Sequence, residues 1–236
     1  MFQTDIFPAA QSRHPGGPVR RPGPTLCEVF PAAGAEAAAA GFVLAQLGRG
    51  AAPVLWIQER LAQSETGRPY LAGLGLDRPL LVMRLSRPAD VMAAIEEGLR
   101  CRALGAVVAE LHGNPPAASF TASKRLALRA GAAAVPCWLI RQAATADLSA
   151  ARDRWRVATL PSAPDPDDPQ APGDPCWRVE LFRSRDRPPG AWVARHERGH
   201  ERGHERGTSN RLDLVAAFPD GAVAEAAGPD RRHGAR

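Results

Sequence analysis

Two carboxylates stand where strands of an α/β sheet would end. Glu110 closes the apolar run Ala106–Ala109, and Glu59 follows the strand-like run Val54–Gln58. Open α/β sheets build their sites at the carboxyl ends of strands. Glu110 has the position of the Walker B acid of a P-loop ATPase, and Glu59 that of a water-activating carboxylate. Alternatively, both are solvated carboxylates at strand ends and remain from a lost active site. This interpretation is favoured because the sequence lacks a glycine-rich loop that would bind phosphates.

The first strand, turn and helix occupy the place of a phosphate-binding loop. Such a loop needs glycine-rich backbone around the phosphates, a lysine for the β- and γ-phosphates and a hydroxyl for Mg²⁺. Here it reads FPAAGAEAAAA, with Gly34 as its one glycine and Glu36 near the place of the cation. A carboxylate about 4 Å from a phosphate is repulsive by roughly 1 kcal/mol even in water. The sole lysine, Lys124, lies far downstream. We therefore expect no nucleotide cofactor and no catalytic residue.

The cysteines and histidines form no recognised motif. The four cysteines are scattered, at Cys27, Cys101, Cys137 and Cys176. Without a CxxC pair they predict reduced, mostly buried thiols. His196, His200 and His204 lie in three exact copies of HERG. On a helix they would form one imidazole stripe, but the intervening glycines disfavour helix by about 1 kcal/mol each. The sequence predicts neither a metal site nor hydrolytic catalysis.

Tryptophan and arginine are concentrated in the last third of the chain. The candidate contact residues there are Trp155, Arg156, Trp177, Arg178, Phe182, Arg183, Arg185 and Trp192. Aromatic and guanidinium groups together suit single-stranded nucleic acid or a protein partner. Solvated arginines that discourage strand pairing at a sheet edge are an equally supported alternative. We interpret residues 176–217 as a docking element held away from the core.

Apolar strands alternate with helices between residues 25 and 141. Strand-like runs cover 26–30, 54–58, 80–85, 103–111 and 135–140, and helices are predicted at about 35–47, 88–101 and 120–130. Strands that are apolar on both faces and alternate with helices indicate a parallel sheet covered on both sides. The fold class is therefore α/β, with about five strands in this segment. The stretch between Glu59 and Asp77 is predicted to be irregular.

The length of 236 residues and the 44% hydrophobic content favour one domain with appendages. We expect a flexible segment over 1–24, a core over 25–160, a proline-rich linker over 161–175, a β segment over 176–219 with the HERG insert 196–207, and a disordered tail over 220–236. No stretch approaches 18 consecutive apolar residues, and the N-terminus has no apolar region typical of a signal peptide. A cytoplasmic protein without membrane spans is expected.

Four segments resemble the ImuA proteins of bacteria, especially the alphaproteobacterial kind. They read RPADVMAAIEEGLRCRALGAVVAELHGNP, TASKRLALRAGAAAVPCWLIR, DRWRVATLPSAP and PCWRVELFRSRDRPPGAWV. The resemblance extends from about Leu26 to Ala217, without the HERG copies, which depart from the family pattern. It implies a RecA-like fold of the P-loop NTPase type, mostly parallel, with a degenerate Walker A loop and a short C-terminal β segment.

The resemblance also implies a role in mutagenesis. ImuA-like proteins belong to a damage-inducible cassette and act in translesion DNA synthesis with the Y-family polymerase homologue ImuB and an error-prone replicative-type polymerase. We expect a non-enzymatic, nucleoid-associated accessory factor of the SOS response that links the ImuB-like partner with RecA or with DNA. Two alternatives stay open, namely a residual RecA-type DNA-dependent ATPase and a SulA-like cell-division inhibitor.

Overall fold

The computed structural model describes residues 23–197 and 211–217, except for residues 35, 48–49, 71–73, 75, 77, 163, 166 and 169. The strands are β1 (Leu26–Pro31), β2 (Val54–Glu59), β3 (Leu80–Leu85), β4 (Ala106–His112), β5 (Cys137–Gln142), β6 (Asp153–Leu160), β7 (Cys176–Ser184), β8 (Gly190–Glu197) and β9 (Arg211–Ala217). The helices are α1 (Ala38–Gln46), α2 (Arg60–Thr66), α3 (Pro88–Gly98) and α4 (Phe120–Ala133). Nearly all of the predicted flexible segment 1–24, the tail 220–236 and most of the HERG copies lie outside the described residues.

All the described strands belong to one sheet with the order β3-β2-β4-β5-β1-β6-β7-β8-β9. The six strands from β3 to β6 in this order run parallel, and β7, β8 and β9 continue the sheet antiparallel. The five strands predicted before residue 142 are all present. The mostly parallel α/β class of the RecA-like fold is thereby confirmed.

Helices cover the two faces of the sheet unequally. On one face, α1 packs over the central strands, where the Phe42 ring lies 6.2 Å from that of Trp138 and 5.2 Å from that of Trp155. On the other face, α3 and α4 bury a second apolar cluster that includes Ile95 and Leu126. Among the described helices, none has both the length and the apolar character needed to cross a membrane.

The proline-rich stretch 161–175 connects two neighbouring strands. β6 and β7 pair antiparallel along their lengths, from Asp153 opposite Ser184 to Leu160 opposite Cys176. Trp177 is only 5% exposed, and a Cβ built on Gly41 of α1 would lie 2.7 Å from its ring. The glycine thus permits α1 to lie directly against β7. The expectation that a linker holds the C-terminal strands away from the core is wrong.

Several predicted boundaries differ from the structure. The stretch after Glu59 is not wholly irregular, because α2 occupies its first seven residues. This helix buries Ala62 alone, so its apolar periodicity is too weak to be recognised. Helix α4 continues through Gly131 to Ala133 and ends where Ala134 adopts a left-handed conformation with φ of 59°. A glycine weakens a helix by about 1 kcal/mol but does not by itself end it.

Candidate functional site

A pocket of about 450 Å³ opens at the carboxyl ends of β2, β4 and β5, beside the start of α1. Its polar lining includes Glu36, Gln58, Glu110 and Gln142, and its walls include Trp56 and Trp177. This is the end of a parallel sheet at which α/β proteins bind their ligands. Of the carboxylates predicted here, the structure brings Glu36 and Glu110 together around one cavity.

Glu110 lies at the centre of a hydrogen-bonded cluster. Its Oε1 accepts hydrogen bonds from Trp56 Nε1 at 2.6 Å and Gln58 Nε2 at 2.9 Å. Its Oε2 accepts longer ones from Thr66 Oγ1 at 3.3 Å and Gln142 Nε2 at 3.5 Å. The residue is only 2% exposed. The interpretation of Glu110 as a solvated strand-end cap is therefore wrong.

Burial and hydrogen bonding act in opposite directions on Glu110. Burial raises the pKa of its carboxyl group, because the charged form loses hydration. The four donors around it lower the pKa, but the effect of burial is larger. The pKa of Glu110 is consequently above the usual value for glutamate. A proton on this carboxyl is easier to retain near neutral pH than on an exposed glutamate.

Two acceptor atoms of the pocket have no hydrogen-bond donor among the described residues. They are Oε2 of Glu36 and Oε1 of Gln142, both buried from solvent. Gln142 as a whole is 2% exposed, and its amide nitrogen faces Glu110. The sequence pointed to Glu36 but not to Gln142, which is the last residue of β5 and belongs to no recognised motif. The lining of the pocket therefore includes two side chains with an acceptor that lacks a donor.

Glu59 and Gly34 do not join this pocket. Along β2 the side chains alternate between faces, so Glu59 points away from the face that carries Trp56 and Gln58. Its Oε2 accepts a hydrogen bond from the backbone N–H of His112 at 2.7 Å, and the side chain is 6% exposed. Glu59 is thus also not a solvated cap. A Cβ built on Gly34 would meet nothing within 4 Å, so close backbone approach does not require a glycine there.

The loop between β1 and α1 carries none of the side chains that hold nucleotide phosphates. Residues 32–37 read AAGAEA, and Lys124 is exposed on α4, which covers the opposite face of the sheet. The described residues also contain no group of three or more histidines, cysteines, aspartates or glutamates that could hold a metal ion. The pocket lining combines the carboxyl groups of Glu36 and Glu110 with one cationic residue, Arg68.

The predicted contact residues of the last third divide between core and surface. Trp155 is 1% exposed and belongs, with Trp177, to the apolar cluster beneath α1. Trp192 packs partly buried against that cluster, with its ring 6.4 Å from that of Trp155. These three tryptophans contribute to the protein's own core. The prediction that they form a docking surface held off the core is therefore wrong.

The other candidates on β6 and β7 lie on the opposite face of these strands, which no described helix covers, and Arg185 follows the end of β7. Phe182 is half-buried, with the guanidinium groups of Arg156 and Arg154 at 4.3 Å and 5.3 Å from its ring centre. Arg156 also pairs with Glu180 at 3.3 Å. Arg178, Arg183 and Arg185 are exposed. The basic, aromatic character predicted for this segment is thus present on one open sheet face.

The exposed apolar edge at β3 was not predicted from the sequence. Leu81, Val82 and Met83 are 50%, 45% and 40% exposed. β3 pairs with β2 on one side only, and no described strand lies on its other side. Its run LLVMRL is typical of a strand buried on both faces, whereas here an unpaired backbone edge and three large apolar side chains meet solvent. Such edges are ready templates for an added strand.

The strand order, helix placement and pocket together define a RecA-like α/β protein. Comparison with known sequences finds similar proteins: the chain is 34% identical, over 154 residues, to Protein ImuA from two strains of Caulobacter vibrioides. The alignment covers 59% of this chain and 59% of each relative. No protein-family model matches the chain. The similarity confirms the resemblance to ImuA and supports an ImuA-family assignment.

Proposed function

We propose that this protein is a non-enzymatic accessory factor of damage-induced mutagenesis that acts with an ImuB-like Y-family polymerase homologue. The observation that carries the proposal is the similarity to Protein ImuA. In this role the protein links the polymerase homologue, and an error-prone replicative-type polymerase, with RecA or DNA. Its place of action is the nucleoid.

The loop between β1 and α1 supports the non-enzymatic part of the proposal. A phosphoryl-transfer site needs positive charge and Mg²⁺ to neutralise the phosphates. The pocket instead places the carboxylates of Glu36 and Glu110 near the start of α1. The Glu36 carboxylate would repel a nucleotide's phosphates, and the cationic residue of the lining, Arg68, is exposed to solvent. The same observation weighs against the residual ATPase.

The exposed edge of β3 is the surface that best suits the polymerase homologue. A partner strand that adds to this edge gains main-chain hydrogen bonds, and pockets for alternate side chains give specificity. Leu81 and Met83 share one face of β3, while Val82 lies on the other. An added strand with apolar residues would cover these side chains. The proposal therefore assigns the polymerase homologue to the β3 edge.

The open face of β6 and β7 is at the far side of the sheet from β3. Arg156, Arg178, Arg183 and Arg185, with the half-buried ring of Phe182, suit phosphates and bases of single-stranded DNA. Two separate surfaces would allow one molecule to hold the polymerase homologue and DNA together. This arrangement supports a linking role more than it supports a single-partner inhibitor such as a division inhibitor.

The β3 edge can be tested by paired substitutions. We expect Leu81→Glu with Met83→Glu to weaken association with the purified ImuB-like protein of the same genome at least tenfold, about 1.4 kcal/mol. Two charges would have to be desolvated under an added strand, whereas in the free protein they stay in water. Affinity is measured by biolayer interferometry, with thermal melting on the same preparation.

The matched control replaces two other exposed leucines, Leu128 and Leu148, each 65% exposed, with glutamate. This variant should bind like the wild type. Unchanged affinity of the β3 variant would refute the assignment of the edge. A self-associated form that only the β3 substitutions dissociate would show that the edge serves a second copy of the chain instead. Binding to a division protein but not to the polymerase homologue would favour the SulA-like alternative.

A further inference from the structure

The pocket beside α1 is lined by two side chains that each have a hydrogen-bond acceptor without a donor. Oε2 of Glu36 and Oε1 of Gln142 are buried and accept no hydrogen bond from any described residue. A buried acceptor without a donor destabilises the folded protein, because it has lost its hydrogen bonds to water without replacing them. Native proteins keep few such groups, and each calls for an explanation such as a ligand or an ordered water.

The hydrogen bond of the Gln142 amide nitrogen explains why the carbonyl oxygen of this side chain has no donor. The amide nitrogen of Gln142 donates to Glu110 Oε2, so the carbonyl oxygen cannot face the same carboxylate. Glu110 in turn is held from the other side by Trp56 and Gln58 of β2. The cluster therefore leaves one acceptor without a donor on a 2% exposed side chain that lines the cavity.

The charged residues of the pocket indicate which kind of ligand could donate hydrogen bonds to these two oxygens. Glu36 and Glu110 are its carboxyl residues, and Arg68, which also lines it, is exposed to solvent. The Glu36 carboxylate and the Gln142 amide each have one oxygen without a donor. A cation with several N–H donors would meet the Glu36 carboxylate and could donate to both oxygens. The remaining walls are largely apolar, including Leu44 and Trp56.

We infer that this pocket binds an organic cation with several N–H donors, of which a guanidinium group is the simplest example. A planar guanidinium offers five N–H donors in a fixed geometry, enough to reach Glu36 and Gln142 at once. The aliphatic stem of such a ligand would lie along the apolar walls. The source is either a free small molecule or an arginine side chain of a protein. The inference does not depend on the proposed accessory function.

Calorimetric titration of the whole protein tests the inference with L-argininamide as the probe. L-Citrullinamide is the matched neutral probe, since it replaces the guanidinium with a urea of nearly the same shape. We expect saturable binding of argininamide with a Kd below about 1 mM, and at least tenfold weaker binding of citrullinamide. Acetyl-Gly-Arg-Gly-amide separates the two sources: equal affinity favours a protein side chain, and much weaker affinity favours a small molecule.

The binding site is established with one isosteric variant. Glu36→Gln removes the negative charge from a half-exposed residue and should weaken argininamide about tenfold without changing the melting temperature. Glu97→Gln, on the exposed surface of α3, is the control and should bind like the wild type. Three results would each overturn the inference: no saturable binding of argininamide, equal binding of citrullinamide, or unchanged affinity in Glu36→Gln. Saturable binding of Mg-ATP that depends on Glu36 would also overturn it.

Discussion

At the scale of single residues, burial decides what a carboxylate in this protein does. Glu110 and Glu59 both follow apolar strand residues, and the pattern alone makes both look like solvated caps. In the structure each is buried and accepts hydrogen bonds, but from different partners on opposite faces of the sheet. Burial without a charged partner among its hydrogen-bond donors raises the pKa of Glu110.

The raised pKa of Glu110 predicts a pH dependence of stability. The pKa of Glu110 is higher in the folded than in the unfolded protein. Such a carboxyl group contributes stability at pH values below its pKa in the unfolded protein. This stability is lost as the pH rises through its pKa in the folded protein. The amide introduced by Glu110→Gln cannot ionise. It can donate a hydrogen bond to Gln142 when the Gln142 side chain turns its amide oxygen toward residue 110. We expect the variant to gain stability relative to wild type as pH rises from 4.5 to 8, as measured by urea unfolding.

Variant and wild type are compared at each pH, so that effects of pH that are common to both proteins cancel. Among the groups around Glu110, Glu36, Arg68 and Tyr70 are present in both proteins. Glu97→Gln, which lies in an exposed pair with Arg100, serves as the control and should show little trend. A stability difference that stays flat, or that turns against Glu110→Gln at high pH, would contradict the prediction.

The sequence identified the carboxylates but not their environment, because their partners come from distant strands. Glu110 is recognisable from its place after an apolar run, whereas Trp56 and Gln58 lie 54 and 52 residues earlier. The buried pair of Glu28 and Arg154, joined at 2.7 Å, is separated by 126 residues and was not predicted at all. Local patterns carry no information on such pairings, which depend on strand order.

At the scale of elements, strands were easier to predict than helices of low amphipathicity. β3 was predicted over its observed residues, since a run of six apolar or long side chains between turn signals is distinctive. Its exposure was not predictable, because position at the edge of a sheet is a property of the whole topology. α2 was missed since it buries one small residue only. The HERG copies were treated as a single insert, although two of their residues belong to β8.

The first two residues of the HERG copies belong to β8 and the remaining ten follow it. Two deletions are therefore expected to have different effects. His196 is 8% exposed, stacks on Trp177 at 5.4 Å and pairs with Leu212 of β9. Deleting residues 198–207 leaves three residues between β8 and β9, a length common in hairpins. We expect this deletion to change the melting temperature by less than about 4 °C, which corresponds to about 1 kcal/mol.

The matched deletion of residues 196–207 removes the same repeats together with the end of β8. It should melt at a clearly lower temperature than the shorter deletion, because the ring of Trp177 loses its cover. Differential scanning fluorimetry on both proteins gives the answer. Equal melting temperatures would show that His196 contributes nothing to the sheet, and a large loss for the shorter deletion would show that residues 198–207 have a structural role.

At the scale of the whole molecule, the sheet is continuous from β3 to β9, and the C-terminal strands complete its core. Prolines between residues 161 and 175 suggested a spacer, but a connection between antiparallel neighbours can have the same composition. The fold class could be predicted because alternation of strands and helices is a local pattern. The attachment of the last strands could not, since nothing in β6 or β7 alone indicates which edge they extend.

Replacing Trp177 and Trp192 with alanine separates a core role from a docking role. Truncating a buried tryptophan costs about 3 to 5 kcal/mol, and a loss of 3 kcal/mol lowers the melting temperature of a chain of this size by at least about 6 °C. The double variant should therefore melt well below wild type, while the fraction that is folded at low temperature keeps its affinity for the ImuB-like protein.

The control variant, Tyr70→Ala with Phe120→Ala, truncates two aromatic side chains that are 75% and 42% exposed, and it should melt near wild type. An unchanged melting temperature combined with lost affinity would restore the docking interpretation, because it would mean that β7 and β8 present these rings to a partner rather than to α1.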